Sequence, residues 1–479
     1  MNIAKALEFG GWPGLILLLA GNALGVGAWG TCLVLRRYRA ALYAMIMAFP
    51  FTFYAGRAAG IRAFDIEDFD QRVGPTTFMM IALFAVMYLR GRIRRPPKGI
   101  SRWVERFLWL YAISLTIGQF VTHDAWDAFF LSMGAAWQFV CLFYILISLI
   151  DRDRHLFALL NSVFVFSILN ILVRVVAKGE SLIVSLSSQT AGNATAFGAD
   201  AGRVGSGALG PGVSYAGYLA IFITLGLAMY YVSRHSIYLA YTGLMFLELL
   251  NTFTRGGVYV LGFLVILLSF RRTRAIVLKI GLAAGVAGLF AWPWVYRYIT
   301  FRGFSFNVMH VNTFSLRVLL TQLYFRDYYH FTWWGNGILR ETMVELQPWL
   351  IVPVHNAYLD ILDTCGVIPC AAFAIFSILA VGASVKAARI RRRSRMPASF
   401  RMTPFVVVCL LQWIIFANTT ATSVLGYYPY EGTAVFFLVA TLPLIFIRIA
   451  HRRVVVRRSP AAMQLARPHP VPPGVPSPA

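Results

Sequence analysis

Long apolar segments alternate with short polar connections along most of the chain. Apolar segments of about eighteen residues with few charges are typical of membrane-spanning helices. The pattern predicts thirteen helices, near residues 11–35, 40–56, 75–90, 103–122, 128–150, 155–177, 211–232, 236–253, 256–270, 275–297, 356–385, 402–420 and 432–449. The first segment is too long for the core of a signal peptide, so we expect it to be retained. The fold class that follows is an all-α polytopic membrane protein.

Composition agrees with a membrane protein and argues against a soluble one. Charged residues make up 13% of the 479 residues and hydrophobic residues 59%, whereas a soluble domain carries roughly 25% charged residues. The net charge of +24 would suggest nucleic acid in a soluble protein. Here the basic residues lie between apolar segments, so we expect a lipid bilayer and no nucleic acid as partner. The five scattered cysteines are interpreted as small packing residues.

The distribution of Lys and Arg predicts the orientation in the membrane. Most of the 43 basic residues fall in alternate connections, at 36–39, 90–106, 152–154, 234, 271–279, 386–401 and from 448 onward. Most Asp and Glu residues fall in the other set of connections. The positive-inside rule places the basic set in the cytoplasm, which leaves the N-terminus outside and the C-terminus inside.

Two outside loops are large, and one of them can form a cap. The predicted transmembrane domain covers 1–449, with large loops at 178–210 and 298–355. The tail at 450–479 is basic and rich in Pro and Ala, and we interpret it as cytoplasmic and disordered. The loop at 298–355 is rich in aromatic residues. These suit a helix lying on the membrane surface, which is the favoured interpretation, or a surface that stacks on sugars.

Three arginines in the outside connections are candidate anion ligands: Arg203, Arg255 and Arg317. Arg255 interrupts an apolar run at 237–270, and an arginine near membrane depth usually marks a function or a paired charge. The glycines that follow it would open the next helix with bare amides, a favourable anion site. Snorkelling to the interface explains Arg255 equally well. Arginine binds phosphate in bidentate fashion, so three of them suit a lipid phosphate, a pyrophosphate or an acidic solute.

His355 lies where the large loop enters the eleventh predicted helix. An imidazole there can act as a general base, although a single histidine is more often a polar residue at the interface. The other outside histidines, His123, His310 and His330, share no metal-ligand spacing with His355. The acidic cluster at 65–70 lacks the turn glycine of a calcium loop. We therefore expect no metal site.

Several motifs together resemble the O-antigen ligase and O-antigen polymerase superfamily. The pair His355-Asn356, followed after nine residues by Gly366, resembles the family's His-Asn-x9-Gly motif. Arg255 lies in a Thr-Arg-Gly turn similar to the family's, and Arg317 precedes a Gly-x-Gly segment at 335–337 as the family pattern requires.

The chain also departs from the family pattern at two positions. Pro369 stands where the family has a second small residue, and Gly212 replaces an asparagine after Pro211, in the region of Arg203. The resemblance covers about 200–385.

The resemblance implies a function and a set of partners. Family members transfer a glycan from undecaprenyl pyrophosphate to an acceptor sugar at the periplasmic face of the bacterial inner membrane. The implied fold is that of the multi-helix (GT-C type) glycosyltransferases with a periplasmic helical cap, without metal or cofactor. Carried over, Arg255 and Arg317 bind the pyrophosphate, Arg203 is a weaker third ligand, and His355 activates or orients the acceptor hydroxyl.

The sequence leaves alternatives open. The donor would be an undecaprenyl-pyrophosphate-linked glycan. The acceptor is a glycan or lipid-linked molecule: a lipid-linked repeat for a polymerase, lipid A core for a ligase, or a protein hydroxyl. The sequence does not distinguish these. A transporter or flippase of an anionic lipid-linked glycan would use the same arginines as binding groups. A membrane scaffold without catalysis is the third candidate.

Overall fold

A computed structural model describes most of the chain. The described residues are 11–58, 75–178, 212–252, 261–270, 314–337, 343–347, 350–353, 356–390, 398–417 and 431–457, with short stretches between 273 and 286.

Most of the described residues form helices. In chain order, those before the large loop are α1 (Gly11–Val34), α2 (Tyr38–Ala58), α3 (Pro75–Leu89), α4 (Ile100–Thr122), α5 (Ala125–Ser132), a π-helical turn (Met133–Trp137), α6 (Gln138–Leu149), α7 (Asp153–Lys178), α8 (Gly212–Ser233), α9 (Ile237–Asn251) and a 3₁₀ segment (Gly262–Ser269). The later elements are α10 (Phe314–Leu323), a π-helical turn (Tyr324–Tyr328), β1 (Met343–Gln347), β2 (Leu350–Pro353), α11 (Ala357–Cys365), α12 (Val367–Ile390), a 3₁₀ turn (Ala398–Met402), α13 (Thr403–Ala417) and α14 (Glu431–Arg457).

Within the described ranges, six helical segments are long and apolar enough to cross a membrane. They are Pro13–Val34, Ala125–Leu149, Asp153–Val176, Tyr215–Ser233, Val367–Ala387 and Ser399–Phe416. Shorter apolar helices lie at Pro75–Leu89, Ile237–Asn251 and Ala434–Ala450. The all-α fold class is confirmed, whereas thirteen membrane spans remain a prediction. The Ala125–Leu149 segment is central, because 89% of its apolar window is buried, against 11% for Pro13–Val34.

Three Arg-rich connections meet at one end of the helix bundle, which we call the arginine end. The Arg39 Nε atom, in the first turn of α2, donates to the Leu149 carbonyl oxygen at 2.8 Å. The Arg94 amide, between α3 and α4, donates to Ser148 Oγ at the end of α6 at 2.8 Å. The sequence assigned all three connections to one side of the membrane, and their contacts place them together.

The opposite end of the bundle carries the family motifs, and we call it the motif end. Helices α4 and α7 both begin at the arginine end, and at 1.5 Å per residue each is roughly 35–40 Å long. Thr122 and Lys178, at their C-termini, therefore lie at the motif end. The loop glycine Gly337 packs against His123 there, since a methyl group added at Gly337 would lie 2.5 Å from the His123 Nε2 atom.

Aromatic side chains join the central helices into one core. The Phe373 ring of α12 lies 5.5 Å from Tyr111 of α4 and 5.7 Å from Phe436 of α14, measured between ring centroids. Phe436 in turn stacks at 4.7 Å on Trp413 of α13. Tyr358 of α11 also contacts Phe373, at 5.8 Å. The short helix at the motif end is therefore anchored directly to the membrane core.

The large loop folds over α11 with a small apolar cluster of its own. Leu320 and Tyr324 pack with Val344 of β1 and Leu359 of α11, and all four side chains are buried. Strands β1 and β2 form an antiparallel hairpin with a bulge between Glu345 and Gln347. The aromatic residues at 324–334 lie in the π-helical turn that follows α10 and in the segment after it. The hairpin that follows in the loop was not predicted, and the position of α10 on the membrane surface stays a prediction.

Four predicted helices differ from what the sequence suggested. The segment at 256–270 contains a 3₁₀ segment at Gly262–Ser269. Helix α14 continues to Arg457, so residues 450–457 of the tail that we expected to be disordered are helical.

The segment at 356–385 was expected to be one helix, but it is broken at Gly366 into α11 and α12. The segment at 128–150 begins earlier, at Ala125, and contains a π-helical turn at Met133–Trp137. Its N-cap is Asp124, whose side chain accepts from the backbone amides of Trp126 and Asp127.

Candidate functional site

The His-Asn-x9-Gly motif corresponds to one short helix with its two caps. The Asn356 Oδ1 atom accepts from the backbone amides of Tyr358 at 3.0 Å and Leu359 at 3.3 Å, which satisfies two of the orphan donors at the N-terminus of α11. Gly366 ends the helix with a φ of 93°, a conformation that favours glycine. The nine residues between them are the length of α11.

These caps give Asn356 and Gly366 structural roles and single out His355. The histidine immediately precedes the N-cap, and it lies outside the described residues. The departure from the family pattern at Pro369 is also explained, because this proline lies in the first turn of α12. The backbone amide that proline lacks would have no helical partner there. The substitution therefore leaves the local fold intact.

The Gly-x-Gly segment is hydrogen bonded along the end of α11. The Asn336 amide donates to the Asp363 carbonyl oxygen and the Gly337 amide to the Thr364 carbonyl oxygen, both at 2.9 Å. The Asn336 Nδ2 atom also donates to Asp363 Oδ1 at 3.1 Å. A methyl group added at Gly335 would overlap the Thr364 carbonyl group. The segment therefore requires glycine for close backbone approach.

The break at Gly366 is locked by the same segment. The Val367 amide donates to the Thr332 carbonyl oxygen at 3.1 Å, and a methyl group added at Gly366 would overlap the Trp333 carbonyl oxygen. Gly118 of α4 also touches this loop, since a methyl group there would lie 2.7 Å from the Trp334 carbonyl oxygen. Two motifs about 30 residues apart in sequence thus form one compact junction on the end of α4.

Two carboxylates of α11 lie beside this junction. Asp360 is buried in the first turn of α11, where its charge complements the positive end of the helix dipole. Asp363 Oδ1 accepts from the Tyr324 hydroxyl at 3.3 Å. Burial, reinforced by Asp363, raises the pKa of Tyr324 far above its ordinary range. Tyr324 therefore remains a neutral hydrogen-bond donor at working pH.

Exposed aromatic rings follow Tyr324 along the loop. Phe331 and Trp333 are both more than half exposed, and their ring centroids are 4.8 Å apart in an edge-to-face arrangement. Phe325 is also exposed. Such rings can lie at a membrane interface or stack on a sugar.

Arg317 is placed in α10, one turn before Leu320. Leu320 packs in the cluster with Leu359 of α11, so the helix that carries Arg317 is attached to the helix that follows His355. The structure therefore joins α10, which carries Arg317, to α11, which begins two residues after His355 in sequence. Arg203 and Arg255 lie outside the described residues.

A buried ion pair lies near the C-termini of α7 and α9, the helices that precede Arg203 and Arg255 in sequence. The Arg174 Nη2 atom of α7 lies 2.9 Å from Glu248 Oε1 of α9 and 3.0 Å from Oε2. The Tyr215 hydroxyl of α8 donates to Glu248 Oε1 at 3.2 Å, and Asn251 Nδ2 donates to Oε2 at 3.4 Å. The side chains of Arg174 and Glu248 are 0% and 1% exposed, so the pair is fully enclosed by protein.

This ion pair was not predicted, although the sequence carries a signal for it. Arg174 and Glu248 are opposite charges, each within one turn or so of the C-terminus of an otherwise apolar helix. Charges inside apolar helices usually face the bundle interior and pair with one another. Both helices end at connections that the charge pattern placed on the same side, so their pairing could have been predicted.

Among the described residues, no three His, Cys, Asp or Glu side chains come together as a possible metal site. The acidic cluster at 65–70 lies outside the described residues. No protein-family model matches the chain, and no curated protein matches it. The resemblance to the O-antigen ligase and polymerase superfamily therefore rests on the sequence motifs alone.

Proposed function

We propose that this protein is a membrane glycosyltransferase that acts at the motif end. It transfers a glycan from undecaprenyl pyrophosphate to an acceptor sugar, in the polymerisation or ligation of a cell-surface polysaccharide. The motif end faces the periplasm, because the arginine end carries the connections that the positive-inside rule assigns to the cytoplasm. Thirteen membrane spans and a GT-C type fold belong to the same proposal.

The observation that carries the proposal is the junction of the Gly-x-Gly segment with α11 and Gly366. The Asn336 and Gly337 amides bond to carbonyl oxygens of α11 at 2.9 Å, although they come from a different part of the large loop. A set of motifs that merely resembled the family by chance would have no reason to converge. Because the caps account for Asn356 and Gly366, His355 is left as the motif residue available for chemistry.

The proposed reaction is a displacement at the anomeric carbon of the donor. The acceptor hydroxyl oxygen attacks that carbon, and the bond between the carbon and the pyrophosphate oxygen breaks. The hydroxyl proton passes to the His355 imidazole, and undecaprenyl pyrophosphate leaves with the bonding electrons. Arg255 and Arg317, with Arg203 as a third group, stabilise the charge that develops on the leaving group.

The Arg174–Glu248 pair also supports the proposal. Its carboxylate accepts from three side chains on three helices, which holds the outer ends of α7, α8 and α9 together. These helices lead into the connections that carry Arg203 and Arg255. Helix ends that are held together in this way would keep the cationic loops in place while negative charge develops on the diphosphate leaving group.

Activity in detergent tests the proposal against the transporter alternative. The purified protein is incubated with a lipid-pyrophosphate-linked glycan and an acceptor, and both glycan product and released polyprenyl pyrophosphate are measured. An enzyme forms both products in detergent micelles. A flippase or transporter leaves the donor intact in micelles and moves it only across a sealed vesicle, and that result would reject the enzyme.

The arginine assignment is tested with substitutions that separate charge from geometry. We expect Arg255→Ala and Arg317→Ala to lower donor use strongly, and Lys to restore it only in part because it lacks the bidentate fork. Arg326→Ala is the matched control, since Arg326 is an exposed arginine of the same loop that pairs with its neighbour Asp327. Full activity in both alanine variants at normal expression would exclude the two arginines from the site.

A further inference from the structure

A cleft at the arginine end is lined by five arginines. It has a volume of about 490 Å³ and lies between the α1–α2 connection, the α3–α4 connection and the end of α6. The arginines that line it are Arg36, Arg37, Arg39, Arg92 and Arg94. Topology alone requires basic residues on this side of the membrane, but it does not require two separate connections to direct them into one concavity.

The positive charge of the cleft is largely uncompensated. Asp151 is the carboxylate that pairs with Arg39, at 3.3 Å, and it also contacts His155 at 2.8 Å. No ion pair joins the other four arginines to a carboxylate within the part of the chain that the structure describes. Like charges gathered in this way repel one another, and a bound anion would relieve the repulsion.

The walls of the cleft are held by hydrogen bonds that leave four of the five guanidinium groups unused. Arg39 is held by the Leu149 carbonyl oxygen, and the backbone of Arg94 is held by Ser148 Oγ. Arg36 adopts a φ of 58°, which costs free energy for a residue with a side chain. The guanidinium groups of Arg36, Arg37, Arg92 and Arg94 therefore remain available on a preformed frame.

Exposed apolar side chains border the cleft and indicate the source of the anion. Val34 and Leu35 precede Arg36, and Tyr88 and Leu89 precede the second connection; all four are more than half exposed. A basic pocket that adjoins apolar helix ends at the membrane surface suits a phospholipid, whose headgroup and acyl chains meet there. A free phosphate would gain nothing from the apolar border.

We propose that this cleft binds the headgroup of an anionic phospholipid in the leaflet at the arginine end. Its volume and its arginines suit a lipid with two phosphates, with each phosphate held by guanidinium forks. The site lies at the opposite end of the bundle from the proposed glycosyl transfer and does not depend on it.

Thermal unfolding of the delipidated, full-length protein in detergent tests this proposal. The probes are a diphosphate phospholipid such as cardiolipin, phosphatidylcholine as the zwitterionic control, and inorganic pyrophosphate. We expect the unfolding midpoint to rise with the diphosphate lipid and not with the other two probes. The double substitution Arg37→Gln, Arg94→Gln should weaken the apparent affinity about 30-fold, and native mass spectrometry should show the loss of one tightly bound lipid.

Matched variants decide whether the cleft or the general charge is responsible. Arg106→Gln with Arg401→Gln removes two exposed arginines from the same end but outside the cleft, and should leave binding unchanged. The variant Arg37→Lys with Arg94→Lys keeps the charge and should bind the lipid with intermediate affinity. It provides the test if the glutamine variant fails to fold. Equal losses in the cleft and control variants, equal stabilisation by pyrophosphate, or no stabilisation by the lipid would each overturn the proposal.

Discussion

The two ends of the helix bundle handle their arginines differently. At the arginine end, the arginines that line the cleft are exposed, Arg39 pairs with the buried Asp151, and the connections are joined through backbone atoms such as the Leu149 carbonyl oxygen. At the motif end, Arg174 and Glu248 are both fully buried, and the Glu248 carboxylate also accepts from Tyr215. Exposed arginines orient a protein in a membrane and lose little hydration, whereas burying two charges carries a large desolvation free energy. The fully buried arginine therefore lies at the motif end.

The two ends also differ in how closely other atoms pack against backbone positions with positive φ. The arginine end has Arg36 and Gly91 at positive φ, and nothing lies within 4 Å of a methyl group added at Gly91. The motif end has Gly335, Gly337 and Gly366 at positive φ, with backbone or side-chain atoms against each one. Among the described residues, close backbone packing at such glycines is therefore found at the motif end.

The largest effect is expected from a methyl group at the junction. Gly366→Ala combines a φ of 93° with overlap of the Trp333 carbonyl oxygen, so we expect a loss of about 3 kcal/mol or more and little folded protein. Gly243→Ala is the control, because nothing lies within 4 Å of a methyl group there. Gel-filtration profiles and unfolding midpoints in detergent provide the measurement. A well-folded Gly366→Ala protein would contradict the junction.

The next effect concerns the buried ion pair. Glu248→Ala leaves the Arg174 charge enclosed without its carboxylate, which should cost about 3–5 kcal/mol. Replacing both residues, as Arg174→Met with Glu248→Met, should recover most of that stability, because no charge is then left buried. Thermal unfolding of the single and double variants gives the coupling. The exposed pair Arg326–Asp327 is the control, and its removal should leave the unfolding midpoint unchanged. Similar midpoints for all of these variants would mean that the Arg174–Glu248 pair is not buried.

The smallest effect separates capping from catalysis within the His-Asn motif. Asn356→Ala removes the side chain that accepts from Tyr358 and Leu359, and should cost about 1 kcal/mol. Asn356→Asp keeps the cap and should keep the stability. Unfolding midpoints check both, and turnover per folded molecule should fall little in either. A large loss of turnover at normal stability would mean that Asn356 takes part in the reaction.

The sequence predicted the helices well because apolar length is a strong signal. The segments at 11–35 and 155–177 match α1 and α7 to within two residues at each end. The break at Gly366 was not predicted. A glycine in an apolar run does not by itself end a helix, and the Trp333 backbone that packs on Gly366 is known only from the structure. The hairpin at 343–353 was also missed, since its two strands are only five and four residues long.

The candidate site was predictable in part. The spacing from Asn356 to Gly366 is local and could be recognised as a motif, and its basis in a capped nine-residue helix is visible in the structure. The pairing of Arg174 with Glu248 could have been inferred, because both are charges near the same end of apolar helices. The contact of Asn336 with Asp363 could not, because it depends on how the large loop packs on α4 and α11, which no local pattern specifies.

Turnover of the His355→Ala variant tests the central claim most directly. The released polyprenyl pyrophosphate is measured per folded molecule, and donor binding is measured separately on the same preparation. Because general-base catalysis contributes about 10²–10⁴-fold, the variant should lose turnover by that factor while it binds donor almost normally, and His355→Gln should retain some activity if the ring mainly orients the acceptor. Unchanged turnover in a folded His355→Ala protein would contradict the account and would leave the motif end as a binding site without catalysis.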